Sequence, residues 1–230
     1  AQRRRALFQA ISEADVHGLP SQRYDAEGLM DALRSATTPR ARGLVEVQMS
    51  KTFVELAQNM QTGVLVPSKI DSGIVRAVPY RARESYLVNF VKSNPNSFFR
   101  ALPPRTPEYA RLLKEKLRFE KLIAAGGYGE PVAAKALKPG ETGADVVALR
   151  DRLVVMGYLR RSATPSYDAT MQKAVQVFQA DNGLATDGVA GAGTLAEINT
   201  SAADRLKSII VAMERERWFN QERGKRHVLV

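Results

Sequence analysis

The sequence predicts a mainly α protein: one larger helical domain and a small three-helix module. Three observations predict it. Apolar residues recur at spacings of three and four along most of the chain. Glycine and proline clusters cut that pattern into separate helices. At 230 residues the chain exceeds one typical domain and falls short of two full-sized ones, so one larger domain plus one small module is expected.

The elements follow in order. "ALFQAISEADVHGLP" sets Leu7, Ile11 and Ala14 on one helical stripe before Gly18 and Pro20 stop it. "YDAEGLMDALRSATTP" offers Leu29 and Leu33 at i, i+4 and ends near Pro39. Val45, Met49, Phe53, Leu56 and Met60 predict one amphipathic helix running to a stop at Gly63. "VLVPSKIDSGIVRAVPY" reads as extended, and "RESYLVNFVKSNP" as a short helix. A strong helix is expected from about Glu108 to Ala125, with Tyr109, Leu112, Leu113, Leu117 and Leu122 as its apolar residues, before a Gly-Gly-Tyr-Gly turn.

From "LKPGETGADVVALRDRLVVMGYL" the pattern becomes three compact units. Val146, Leu149, Leu153 and Met156 mark a first helix; Met171, Ala174, Val175 and Phe178 a second; Leu195 and Ile198 a third, very short one. Glycines cluster between the second and third. A module of this size has a small core, so its loops must turn tightly. Gly183 suits a left-handed C-cap, Asp187 and Gly188 a turn, and Gly191 and Gly193 a close approach to the start of the third helix.

Composition excludes several classes of function. There is no cysteine, hence no disulfide, thiolate nucleophile or cysteine-ligated metal. His17 and His227 lie far apart and read as surface or packing residues, so no metal site is expected. No cofactor is expected either. No apolar run approaches the ~20 residues of a transmembrane helix. The net charge of +10 is spread over the chain before residue 138 and after residue 200, while 138–200 is close to neutral. Nucleic-acid binding needs a clustered basic face with interleaved aromatics, so nucleic acid is not the expected partner; the basic surface suits an anionic polymer better. The chain opens on "AQRRRALFQAI" with no initiator Met and no apolar signal core, which is compatible with a mature or trimmed form of an exported protein.

Acid–base pairs offer little. Glu214 and Glu216 stand at i, i+2, which points them to different faces, and their alternation with Arg215 and Arg217 reads as a charged helix face. Asp145 and Asp151 are set aside as well. Trp218 reads as an anchor for the last helix ahead of a sugar-stacking platform.

The elements "LR.RL...GYL", "AV..FQ...GL" and "DG..G..T", in that order within 138–200, resemble the peptidoglycan-binding module of many cell-wall enzymes. The flanking "NPNSFFRALPPRTPEYARLLKEKL", "AAGGYGEP" and "RLKSIIVAMERERWFNQERGKRHVLV" resemble the larger periplasmic L,D-transpeptidases, in which that module is carried on a helical scaffold. The resemblance covers nearly the whole chain. It implies a helical scaffold domain over 1–137, the three-helix peptidoglycan-binding module inserted over 138–200, and over 201–230 a scaffold return helix with a little extended structure at the C-terminal end, a lead-in strand to a catalytic domain absent from this chain. It also implies a periplasmic or cell-envelope location, and a parent enzyme that forms an acyl-enzyme on a cysteine, releases D-alanine and makes 3-3 cross-links. This chain has no such cysteine, so by itself it is expected to be inactive, and no catalytic residue is assigned. His227 lacks the surrounding motif of the family's catalytic histidine.

The expected partners are therefore peptidoglycan, through its glycan strands or stem peptides, and the catalytic domain of the same parent protein. Candidate peptidoglycan-binding residues are Tyr158, Gln179, Asn182, Asp187 and Thr194, which flank the module's loops. Each also has a structural reading: Thr194 in the first turn of the third helix, Asp187 in its turn, Tyr158 over the small core. Two other readings stay open at this point, a stand-alone wall-binding or interaction protein and the binding part of a wall hydrolase.

Overall fold

A computed structural model describes residues 2–220. It is mainly α, with α1 (Gln2–Ser12), α2 (Ala26–Ser35), α3 (Pro39–Thr62), α4 (Pro67–Ile70), α5 (Arg83–Lys92), α6 (Pro95–Arg100), α7 (Pro107–Ala124), α8 (Ala144–Met156), α9 (Ala169–Asp181), α10 (Ala192–Asn199) and α11 (Ala202–Phe219). The extended structure expected at the C-terminal end, and His227, lie outside the described residues. The chain forms two compact units, 2–117 with 208–220, and 118–207. The divisions fall inside α7 and inside α11.

In the first unit the helix starts are set by local chemistry. Thr38 accepts from the Ala41 N–H with Pro39 in the first turn of α3, and Asn94 does the same for α6 by accepting from Ser97. The expected stripe of α3 is the buried one, Val45, Met49, Phe53, Leu56 and Met60. Gly63 ends it at φ +89°, and a β-carbon there would come within 2.4 Å of Glu214 Oε1, so glycine is required twice over. Phe53 and Phe90 stack with centroids 4.4 Å apart, and Phe98 and Phe99 pack edge-on to Phe90.

Three readings change here. The segment expected to be extended contains α4, one helical turn that Pro67 starts; the residues before and after it are irregular. Only part of the "ERER" run is solvated: Arg215 is exposed and Glu216 half-buried, but the other two are interior. Glu214 is 8% and Arg217 0% exposed, because Arg217 donates to Glu214 Oε2 (3.1 Å), to the Tyr109 hydroxyl (3.0 Å) and to the His17 carbonyl, while Leu65 N–H donates to Glu214 Oε1 (2.7 Å). A charge pair enters a low-dielectric interior only when most of its remaining hydrogen-bonding groups are satisfied, and these partners serve both Arg217 Nη atoms and both Glu214 oxygens, leaving Arg217 Nε as the one buried group of the pair without a partner. Trp218 is buried in the same unit. Along α7, Tyr109 is buried and Leu112, Leu113 and Leu122 are partly buried as expected, but Leu117 is 38% exposed and Lys116 is buried beside it.

The second unit is built on α8, α9 and α10. Val146, Leu149 and Leu153 meet Met171, Ala174, Val175, Phe178, Leu195 and Ile198 in one core. Two isolated antiparallel bridges, Leu137 with Ala190 and Thr142 with Ser166, tie the loops across it.

Candidate functional site

The module's helices are held by buried polar side chains. Arg152 donates from Nε to the Ile198 carbonyl (2.8 Å) and from Nη1 to the carbonyls of Tyr128, Gly129 and Glu130, pinning the Gly-Gly-Tyr-Gly turn to the end of α10. Arg150 donates to Ser162 Oγ (2.7 Å), the Ser166 carbonyl (2.5 Å) and Asp168 Oδ2 (3.0 Å). Asp168 caps α9 by accepting from Met171 N–H, and that bond first, with Arg150 further down, holds its carboxyl below the usual range. Asn199 clamps the backbone of Val132 with two 2.9 Å bonds. These arginines belong to "LR.RL", and both are buried.

Three of the five candidate residues come together. Gln179 sits on the last turn of α9 at 2% exposure. Its Nε2 donates to Asp187 Oδ1 (2.8 Å), the Val189 carbonyl (3.0 Å) and Thr194 Oγ1 (3.1 Å), and its Oε1 accepts from Gly188 N–H (2.9 Å). The amide is fully used within the module. Thr194 is buried beside it, in the first turn of α10. Asp187 is exposed; the Val189 N–H (2.9 Å) and then Gln179 hold its carboxyl below the ordinary range, so it is ionised at neutral pH.

Tyr158 and Asn182 form a second group at the same end of α9. The Tyr158 ring is half-buried, edge-on to Phe178 with centroids 5.2 Å apart. Burial, then the neighbouring Asp181 carboxylate, push its hydroxyl up. Asn182 donates to the Phe178 carbonyl (2.7 Å) and stands beside the Tyr158 hydroxyl. Around this end of α9, Asp187 offers an ionised acceptor, and Tyr158 and Asn182 offer a ring edge and an amide.

Glycine is needed here at Gly188. Its φ is +72°, and a β-carbon would meet Gln172 Cγ at 2.7 Å. Gly191 and Gly193 have open space where a β-carbon would stand, so no close approach explains them. Among the described residues, no cluster of three His, Asp or Glu side chains is arranged to hold a metal, and no helix is long and apolar enough to cross a membrane.

Comparison with known families agrees with the two units. The scaffold domain family matches residues 1–117, over half of the 230 residues, and the chain belongs to that family. A peptidoglycan binding domain matches residues 142–198, which takes in α8, α9 and α10. None of the curated proteins matches the chain. The match over 142–198 supports peptidoglycan as a partner and an association with the cell wall or envelope.

Proposed function

We propose that these residues are the scaffold and wall-binding portion of a periplasmic L,D-transpeptidase. In this reading 138–200 holds peptidoglycan, 1–137 and 201–230 form the scaffold and its return, and a catalytic domain of the same parent protein supplies the cysteine that becomes the acyl-enzyme during 3-3 cross-linking. The observation that carries it is the succession of a scaffold domain and a peptidoglycan-binding domain in one chain, in the order of the resembling enzymes. Tethering to a polymeric substrate raises the local concentration of stem peptides at a linked catalytic centre, and that gain needs no new catalytic contact.

Within the module, Asp187, Tyr158 and Asn182 present groups to the wall, while Gln179 and Thr194 position Asp187. Cosedimentation with purified sacculi tests the binding part. The chain is expected to sediment at low and high salt, with Asp187→Ala and Tyr158→Ala each weakening it several-fold; sedimentation lost only at high salt would reduce the binding to charge attraction. The enzymatic part is tested by probing source cells with an antibody to this chain. A larger species that labels with a thiol-reactive probe supports it, and a species of 25.3 kDa with no label overturns it, leaving a binding protein.

A further inference from the structure

The scaffold unit also carries a groove of about 810 Å³, within the size range of clefts that take small ligands and short peptides. One wall is a face of α3, where Val47, Lys51, Val54 and Gln58 follow at three- and four-residue steps. The other is formed by Leu65, Tyr80 and the start of α5, including Arg83, Glu84 and Leu87. Apolar walls in water are uncommon without a purpose, and here Val47 is 53%, Leu65 42% and Leu87 37% exposed.

The charges of the groove fall into two sets. Glu55 is held by Arg23 at 2.5 Å, and Glu46 by Arg4. Lys51, Arg83 and Glu84 have no ion-pair partner among the described residues, which leaves two free cations against one free anion. The Gln58 amide and the Tyr80 hydroxyl likewise have no hydrogen-bond partner among the described residues, and both can bond a peptide backbone. Apolar walls therefore suit small side chains, the amide and hydroxyl suit peptide N–H and C=O groups, and the surplus cation suits a carboxylate.

We propose that this groove binds an extended acidic peptide with small apolar side chains, supplied by the stem peptides of peptidoglycan. The source of the ligand rests on the wall-binding reading above; the peptide chemistry rests on the groove.

The test is calorimetric titration of the full chain with a synthetic Ala-γ-Glu-diaminopimelate-Ala peptide and with the same peptide amidated at its carboxyls. Saturable binding is expected, at least tenfold weaker after amidation and at least tenfold weaker in Lys51→Glu/Arg83→Glu. Both positions are exposed, so folding should be unchanged, which circular dichroism checks. Lys69→Glu/Lys92→Glu makes the same charge change outside the groove and is expected to bind within twofold of the unaltered chain. Equal binding of both peptides, equal loss in the two variants, or loss caused by Asp187→Ala instead would overturn the proposal. So would concentration-dependent self-association blocked by Lys51→Glu/Arg83→Glu, which would make the groove a contact between copies. Sacculus cosedimentation separates the two failures: if the peptide does not bind while the chain still sediments, the groove proposal falls alone, and if neither binds, both readings fall.

Discussion

Gln179 Nε2 lies 2.8 Å from Asp187 Oδ1, so a buried amide on the last turn of α9 holds an exposed carboxylate in a loop eight residues on. Because the same amide also serves Gly188, Val189 and Thr194, its removal leaves several buried groups without partners. Gln179→Ala is expected to cost about 2–3 kcal/mol, read from urea unfolding. A change below about 0.5 kcal/mol would mean that the loop holds itself, as surface substitutions usually do.

Gly188→Ala tests the same loop through its backbone. A positive φ disfavours any β-carbon, and the Gln172 side chain must also move. The expected loss is about 1–2 kcal/mol, seen as a lower thermal midpoint. Gly191→Ala, with open space at its β-position and a negative φ, is the control and should be nearly neutral.

In the scaffold unit, Arg217→Ala should be more damaging than either. It leaves the Glu214 carboxylate buried without its cation and takes a donor from the Tyr109 hydroxyl and the His17 carbonyl. Breaking such a pair costs about 3–5 kcal/mol, measurable by chemical denaturation. A loss comparable to that of an exposed arginine would show that water replaces the guanidinium.

His17 makes the stability of this unit depend on pH. Burial first, then the Arg217 charge, push its imidazole from 6.5 down to about 4, and its Nδ1 lies 3.1 Å from the Tyr109 hydroxyl. The folded state therefore favours the neutral ring, and the unfolded chain binds the extra proton between pH 4 and 6.5. That contribution is fully present above pH 6.5 and is lost as pH falls towards 4. Discounted for the partly wetted ring, it is on the order of 1–2 kcal/mol. Urea midpoints at pH 7 and pH 4.5 should differ by that component, and His17→Gln should remove it while other titrations remain.

How much was legible in the chain depended on the range of the interactions involved. The core stripes of α3 and α9 could be read directly, since Val45 to Met60 and Met171 to Phe178 repeat with the helical period and are closed by Gly63 and Gly183. The wall-binding module could be read from its motifs. Of its five candidate residues, the sequence placed all near the loops but could not separate Gln179 and Thr194, turned inward, from Asp187, exposed at the surface.

By itself the sequence determined a mainly α protein, its principal helices and a peptidoglycan-binding domain, because periodicity, caps and motif spacing act over a few residues at a time. Only the tertiary structure decided which charges are buried. Glu214 is an interior group because Leu65, 149 positions away, brings it an N–H; Arg152 is interior because carbonyls from separate turns converge on it, and Arg150 because Ser162, the Ser166 carbonyl and Asp168 do. The physical reason is that a charge can leave water only where distant parts of the chain supply its partners, and no local pattern records where those parts will meet.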